Sequence, residues 1–315
     1  MLSAIVQRSG RLGAGYVLAR ARERGENEGR VRRAVAVTRI ALLGDGPDAA
    51  QIGCEFALGG CAVQLVGFGE LAGRHVEDSL RLASLRGLAG PPDLERARSL
   101  IAPAAEAEGR LTLIVEALSG PVEGRASVIA PVAALHPEAL VVTTGEVAGP
   151  TEFGERAGTG ERTLAARYGS PPMLVGVVEL LAARDTPARL ADRVAQLLRA
   201  IGKHPVTLRR EVPGMISGQL ELALLRACRR LVEDGVADAE QIDRVAAEGV
   251  ARGWAAIGPL GAAALRPADA LARLAGASGV DRTEAQAIER LLGDRRGEEA
   301  ELRRRRDETL GRLKS

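Results

Sequence analysis

The chain has 315 residues, 46% of them apolar and only 2% aromatic, so it is long enough for two domains whose cores must be built from Leu, Val, Ile and Ala. A formal net charge of +2 argues against a nucleic-acid partner, and no apolar run reaches the length of a membrane-spanning helix. The N-terminus lacks the apolar segment of a secretory signal, and Cys54, Cys61 and Cys228 have no metal-ligand spacing; buried thiols in a reducing, cytoplasmic setting are expected.

Residues 1–34 are rich in arginine, are interrupted by Gly10, Gly13 and Gly15, and read as an N-terminal arm. Residues 40–43 are an apolar strand that stops at Gly44; Gly46 and Ala49 complete a GxGxxG/A pattern opening a helix that ends at Gly59 and Gly60. Val63, Leu65 and Val66 make the next strand. Helices follow at Glu70 to Leu88 and Leu94 to Ala102, then the strand LTLIVEAL, whose Glu116 comes near its C-terminal end. A helix from Val122 to Leu135 leads to strand ALVVTT, a helix starting at Pro150, a short strand near Leu164 and the segment PPMLVGVVEL. Helix Pro187 to Ile201 and strand HPVTLRR close an alternation that belongs to one α/β sheet.

From Pro213 the apolar period becomes helical. Ile216 to Val232, Asp238 to Glu248 with Asp238 as N-cap, Thr283 to Leu292 and the charged tail EEAELRRRRDETLGRLKS make an all-helical half. The expected division is an arm at 1–34, an α/β domain at 35–210 and a helical domain at 211–315. The run of four arginines in the tail reads as a solvated helix face with its neighbouring acids.

Strand, glycine turn and helix around Gly44 are the pattern of a dinucleotide site: the first glycine permits the turn, the second lets backbone approach a pyrophosphate, and the third small residue allows close packing. Two features oppose it. Gly67 stands where a carboxylate would accept the adenosine ribose hydroxyls, and Asp45 and Asp48 lie in the turn, where Asp48 could cap the helix itself and repel a pyrophosphate.

The turn GDGPDA, with SPPMLVGVVEL, IGKHPVTLRREVPGMISGQL, RRLVEDGVADAEQIDRVAAEGVARGWAAIGPL and RRRRDETLGRLKS in that order, resembles the 3-hydroxyacyl-CoA dehydrogenase family and its lambda-crystallin or L-gulonate 3-dehydrogenase branch. The resemblance implies a Rossmann-type doubly wound sheet followed by an all-helical C-terminal domain that dimerises, with NAD as cofactor and a small hydroxy acid or acyl-CoA as substrate. It also implies a histidine acting as general acid/base, a glutamate orienting it, and a serine and an asparagine at the reacting oxygen. Carried onto this chain, these positions read Arg167, Glu179, Glu146 and Gly218, and only Glu179 is kept. Glu116 matches the family at the nicotinamide side, where Arg125 replaces a lysine.

Arginine stays protonated, so Arg167 cannot accept a hydroxyl proton, and Gly218 has no side chain to hold an oxygen. An Arg167 to Glu179 ion pair is expected, with Glu146 as the other candidate partner. Tyr168, Ser170 and His204 are the alternative proton carriers. Three readings follow. One is an NAD-dependent oxidoreductase; another is a noncatalytic homologue, a scaffold or the partner of another protein; the third is a binder of an anionic metabolite held by Arg167 and Arg125.

Overall fold

The structure is a computed structural model that describes residues 38–44, 46–67, 69–145, 149–278 and 281–314. The arm at 1–34, Asp45 and Glu146 lie outside the described residues. The chain divides into two compact units, one ending at Glu221 and the other beginning at Leu222.

The first unit alternates strand and helix: β1 (Arg39–Gly44), α1 (Pro47–Leu58), β2 (Ala62–Val66), α2 (Ala72–Leu85), α3 (Pro91–Leu100), β3 (Ile101–Ala104), β4 (Leu113–Ala117), α4 (Val122–Leu135), β5 (Leu140–Thr143), α5 (Pro150–Ala157), β6 (Thr163–Tyr168), β7 (Val177–Ala182), α6 (Ala188–Ala200) and β8 (His204–Thr207). The strands form one eight-stranded sheet in the order β3-β2-β1-β4-β5-β6-β7-β8. All neighbours run parallel except β6 and β7, which are antiparallel.

The two-residue period of a strand explains why this sheet needs cover on both faces. In β1, Ile40 and Leu42 enter a core with Phe56, Leu80 and Leu198, while Ala41 and Leu43 enter a second core with Ile129 and Phe153. Helix α1 lies close to the sheet because Gly53 has no side chain; a Cβ there would sit 3.1 Å from Leu65 and 3.6 Å from both Leu42 and Val63. Ala49, the third small residue of the turn motif, is buried beside it.

β3 departs from the expected elements. Residues 101 and 102 read as the end of a helix, yet Ile101–Ala104 pairs with β2. It is a four-residue edge strand containing Pro103, so it shows neither the length nor the β-branched run that marks a strand in sequence. The helix expected at 70–88 begins later, at Ala72, after a single 3-10 turn at Gly69–Leu71.

Helix α7 (Met215–Glu233) starts in the first unit and crosses the boundary. Beyond it come α8 (Ala239–Val245), a π-helical stretch at Ala246–Val250, α9 (Ala251–Ala264), α10 (Ala268–Ala277), α11 (Arg282–Arg296) and α12 (Glu299–Lys314). Asp238 caps α8 as expected: its carboxylate accepts from the Gln241 amide, and the Gln241 side chain accepts from the Asp238 amide. No strand follows β8 among the described residues. Ile257, Leu292 and Leu302 are the large buried side chains of this unit's small core.

Candidate functional site

In a doubly wound sheet a ligand lies beyond the carboxyl ends of the strands where the order reverses, here between β1 and β4. At that edge Gly46 is the N-cap of α1 in extended conformation, with Pro47 following at the first helical position. The first amide of the helix bonded within it is Ala50, to the Gly46 carbonyl at 3.1 Å, so the amides of Asp48 and Ala49 remain available at the positive end of the helix dipole. A Cβ added to Gly46 meets nothing within 4 Å among the described residues. Asp48 does not cap its own helix. Its carboxylate accepts instead from the Ser170 hydroxyl at 3.1 Å.

The end of β2 is different. Gly67 has φ +87, in the left-handed region that favours glycine, which accounts for the absence of an acid there. A Cβ at Gly67 would find only the Gly44 carbonyl oxygen, at 3.7 Å, so this position borders the glycine turn. The residues present fit a dinucleotide at its pyrophosphate and offer no carboxylate at Gly67 to its adenosine ribose.

On the other side of the switch point Glu116 is fully buried at the end of β4. One of its carboxylate oxygens accepts from Arg125 Nη1 and Thr143 Oγ1, both at 2.6 Å, and the other from the Leu118 amide at 2.7 Å. Burial pushes the Glu116 carboxyl above the usual carboxylate range, and the hydrogen bonds from Thr143 and Arg125 oppose it. Arg125, itself buried, also lies over the Phe153 ring at 5.6 Å and reaches Thr143 Oγ1 at 3.2 Å. A side chain at Gly145 would collide with this guanidinium. Arg125 is thus held by a carboxylate inside the protein, which removes it as a cation for an external anion.

Arg167 and Glu179 face each other across the antiparallel β6–β7 register, as the sequence leads one to expect of a pair. The charges are arranged otherwise. Both oxygens of Glu179 are occupied by the start of α7: the Ile216 amide donates at 2.6 Å, the Ser217 amide at 3.0 Å, and the Ser217 hydroxyl donates as well. Glu179 is buried, whereas the ion pair described for Arg167 is with the exposed Glu221, at 3.4 Å. Gly218 completes the group, since a Cβ there would stand 3.7 Å from Arg167 Nη1. Arg167, Glu179, Gly218 and the glycine turn all belong to the first unit, and Glu116 and Arg125 lie at the same strand edge. Glu146, the remaining expected position, lies outside the described residues.

The alternative proton carriers are poorly placed for acid/base work. Burial drives the Tyr168 hydroxyl well above its ordinary range, Ser170 donates to Asp48, and His204 is exposed on β8. Cys54 and Cys61 are buried as expected, with thiols pushed up to about 12.

A buried cluster that sequence reasoning missed lies under the loop after β6. Lys203 pairs with Glu55 of α1, donates to the carbonyls of Pro172 at 2.6 Å and Val175 at 2.9 Å, and lies over Tyr168 at 5.9 Å. Burial raises Glu55 to about 7 against the pull of Lys203. Its second oxygen is buried without a hydrogen-bond partner among the described residues. With Met173 N donating to Gln51 at 3.3 Å, Asp48 and Gln51 of α1 hold Ser170 and Met173 directly, while Glu55 holds Lys203, which binds the Pro172 and Val175 carbonyls. The clue was available: of 43 basic residues only Lys203 and Lys314 are lysines.

The fold and the glycine turn define a Rossmann-type dinucleotide-binding protein with a helical C-terminal unit. The family profile described as 3-hydroxyacyl-CoA dehydrogenase, NAD binding domain matches residues 39–212, and the chain belongs to the 3-hydroxyacyl-CoA dehydrogenase family, whose cofactor is NAD. A lambda-crystallin homolog of Bos taurus is 36% identical over 100 residues, which are 32% of this chain and 31% of that protein. An L-carnitine dehydrogenase of Burkholderia mallei is 33% identical over 125 residues, 40% of this chain and 39% of the relative. These matches span well under two thirds of either relative, and the first of them supports the lambda-crystallin branch. A crystal structure of 5-formyl-3-hydroxy-2-methylpyridine 4-carboxylic acid 5-dehydrogenase covers 76% of this chain and 79% of its own with a TM-score of 0.67; at 22% identity the likeness is one of fold.

Proposed function

We propose that this chain is a dinucleotide-binding member of its family in which hydride transfer to or from a hydroxy acid or acyl-CoA is lost. The observation that carries the reading is the occupation of Glu179 by the first turn of α7. An acid/base catalyst on this scaffold needs a group that takes a proton near neutral pH and a carboxylate free to orient it. Arg167 stays protonated, and the carboxylate across from it already has its donors. Gly218 leaves room for the guanidinium but supplies no donor or acceptor to a reacting oxygen. The amides of Asp48 and Ala49, without a partner among the described residues, by contrast support retention of the nucleotide. A preserved nucleotide site beside a disabled proton-transfer site suits a protein that binds a cofactor as a signal or a structural ligand.

The second unit supports self-association. Leu224, Leu225, Val236, Val245 and Leu291 are all at least 42% exposed, and their burial against a second copy of the chain would be favourable.

The test is a pair of measurements on the purified protein. NADH fluorescence titration is expected to give saturable binding, whereas NADH formation with L-carnitine, L-gulonate or 3-hydroxybutyryl-CoA stays at the background rate. Turnover of any of these that disappears in Glu179→Ala would overturn the loss of chemistry; absence of dinucleotide binding would overturn the nucleotide reading.

A further inference from the structure

We propose that the adenosine end of the site accepts a 2′-phosphate, so that this chain takes NADP(H) at least as well as NAD(H). The inference rests on the dinucleotide reading above and deepens it. In a site selective for the unphosphorylated ribose, a carboxylate at the end of the second strand accepts both hydroxyls and repels a phosphate placed on one of them. Here that position is Gly67, whose φ of +87 excludes most side chains and whose missing Cβ borders the Gly44 carbonyl. Both the attraction for a bare ribose and the repulsion of a phosphate are therefore missing from this position.

A positive group follows in the chain. Arg74, in the first turn of α2, is the first basic residue after β2. It is exposed and makes no ion pair or hydrogen bond among the described residues, unlike Arg96 and Arg98 on the neighbouring α3, which bind Asp93 and Glu77. Of the carboxylates that follow it on its own helix, Glu77 is itself engaged by Arg98 through two hydrogen bonds of 2.8 Å, and Asp78, one turn on, makes no ion pair with it among the described residues. A planar, permanently charged guanidinium without an internal partner suits a phosphate monoester far better than a neutral hydroxyl pair.

The experiment is a parallel fluorescence titration of the full chain with NADH and NADPH, repeated with Arg74→Ala. NADPH is expected to bind as tightly as NADH or more tightly, and Arg74→Ala to weaken NADPH about tenfold, the effect of one charge-assisted hydrogen bond, with NADH unchanged. NADH bound more tightly than NADPH overturns the inference and leaves the dinucleotide reading standing. An Arg74→Ala variant that keeps its NADPH affinity also overturns it. If neither nucleotide binds, the dinucleotide reading itself fails and this inference with it.

Discussion

The buried triad of Glu116, Arg125 and Thr143 sets the character of the carboxyl end of β4. Its groups answer one another: the carboxylate accepts from three donors, and Nη1 of the guanidinium donates to that carboxylate and to Thr143, with the guanidinium over the face of Phe153. A buried pair of this kind is held by mutual compensation, so breaking it from one side is far costlier than replacing both partners. Glu116→Ala leaves the buried Arg125 charged without this carboxylate, and it is expected to destabilise the fold by about 3–5 kcal/mol, read as a lowered midpoint in urea unfolding. A change below about 1 kcal/mol, the size of an exposed pair, would mean that water reaches the guanidinium. The two charged residues were visible in the sequence as positions of one motif. Their neutralisation was not, because Thr143 lies on the next strand and Phe153 on a later helix, and only the parallel β4–β5 register brings the threonine to the carboxylate. The anion reading, which counted Arg125 as an available cation, depended on that missing knowledge.

Among the elements, α7 shows how a retained residue can change its task. Its first amides need acceptors, and Glu179 supplies them from β7, so the carboxylate acts as a remote cap. Glu179→Ala is expected to cost about 2 kcal/mol, from loss of a charged acceptor to the helix start. Glu221→Ala, which removes only the largely exposed partner of Arg167, should cost less than about 1 kcal/mol. Thermal or urea unfolding of the two variants measures the difference, and a loss below about 1 kcal/mol in Glu179→Ala would remove its capping role. The alternation of strands and helices was legible because each central strand is a short apolar run and each helix starts or stops at Gly or Pro. β3 was not, since an edge strand of four residues with a proline carries almost no pattern. Nor could the sequence show that Asp48 and Gln51 grip Ser170 and Met173, or that Glu55 meets Lys203, for these partners lie more than a hundred residues on.

At the scale of the whole molecule, the change of period at Pro213 marked the helical half, although the compact units meet inside α7, where a continuous helix gives no sequence signal. The second unit buries few large side chains and leaves many exposed, which is the reverse of what a small isolated core requires. Burying a leucine contributes about 1.5–3 kcal/mol, so a handful of these side chains buried against a second copy outweighs the entropy of association only if they form one continuous patch. Leu225 is the sharpest probe, being 63% exposed on a helix whose middle turns expose Leu220, Leu222 and Leu224 as well. The native protein is expected to sediment at twice its 32.9 kDa chain mass at micromolar concentration. Leu225→Glu, which costs nothing at a water-facing site but places a charge in an apolar interface, is expected to shift it towards the monomer while leaving the melting of the first unit in place. A wild-type monomer at these concentrations would rule out the interface, and the exposed leucines would then be a surface for a different protein.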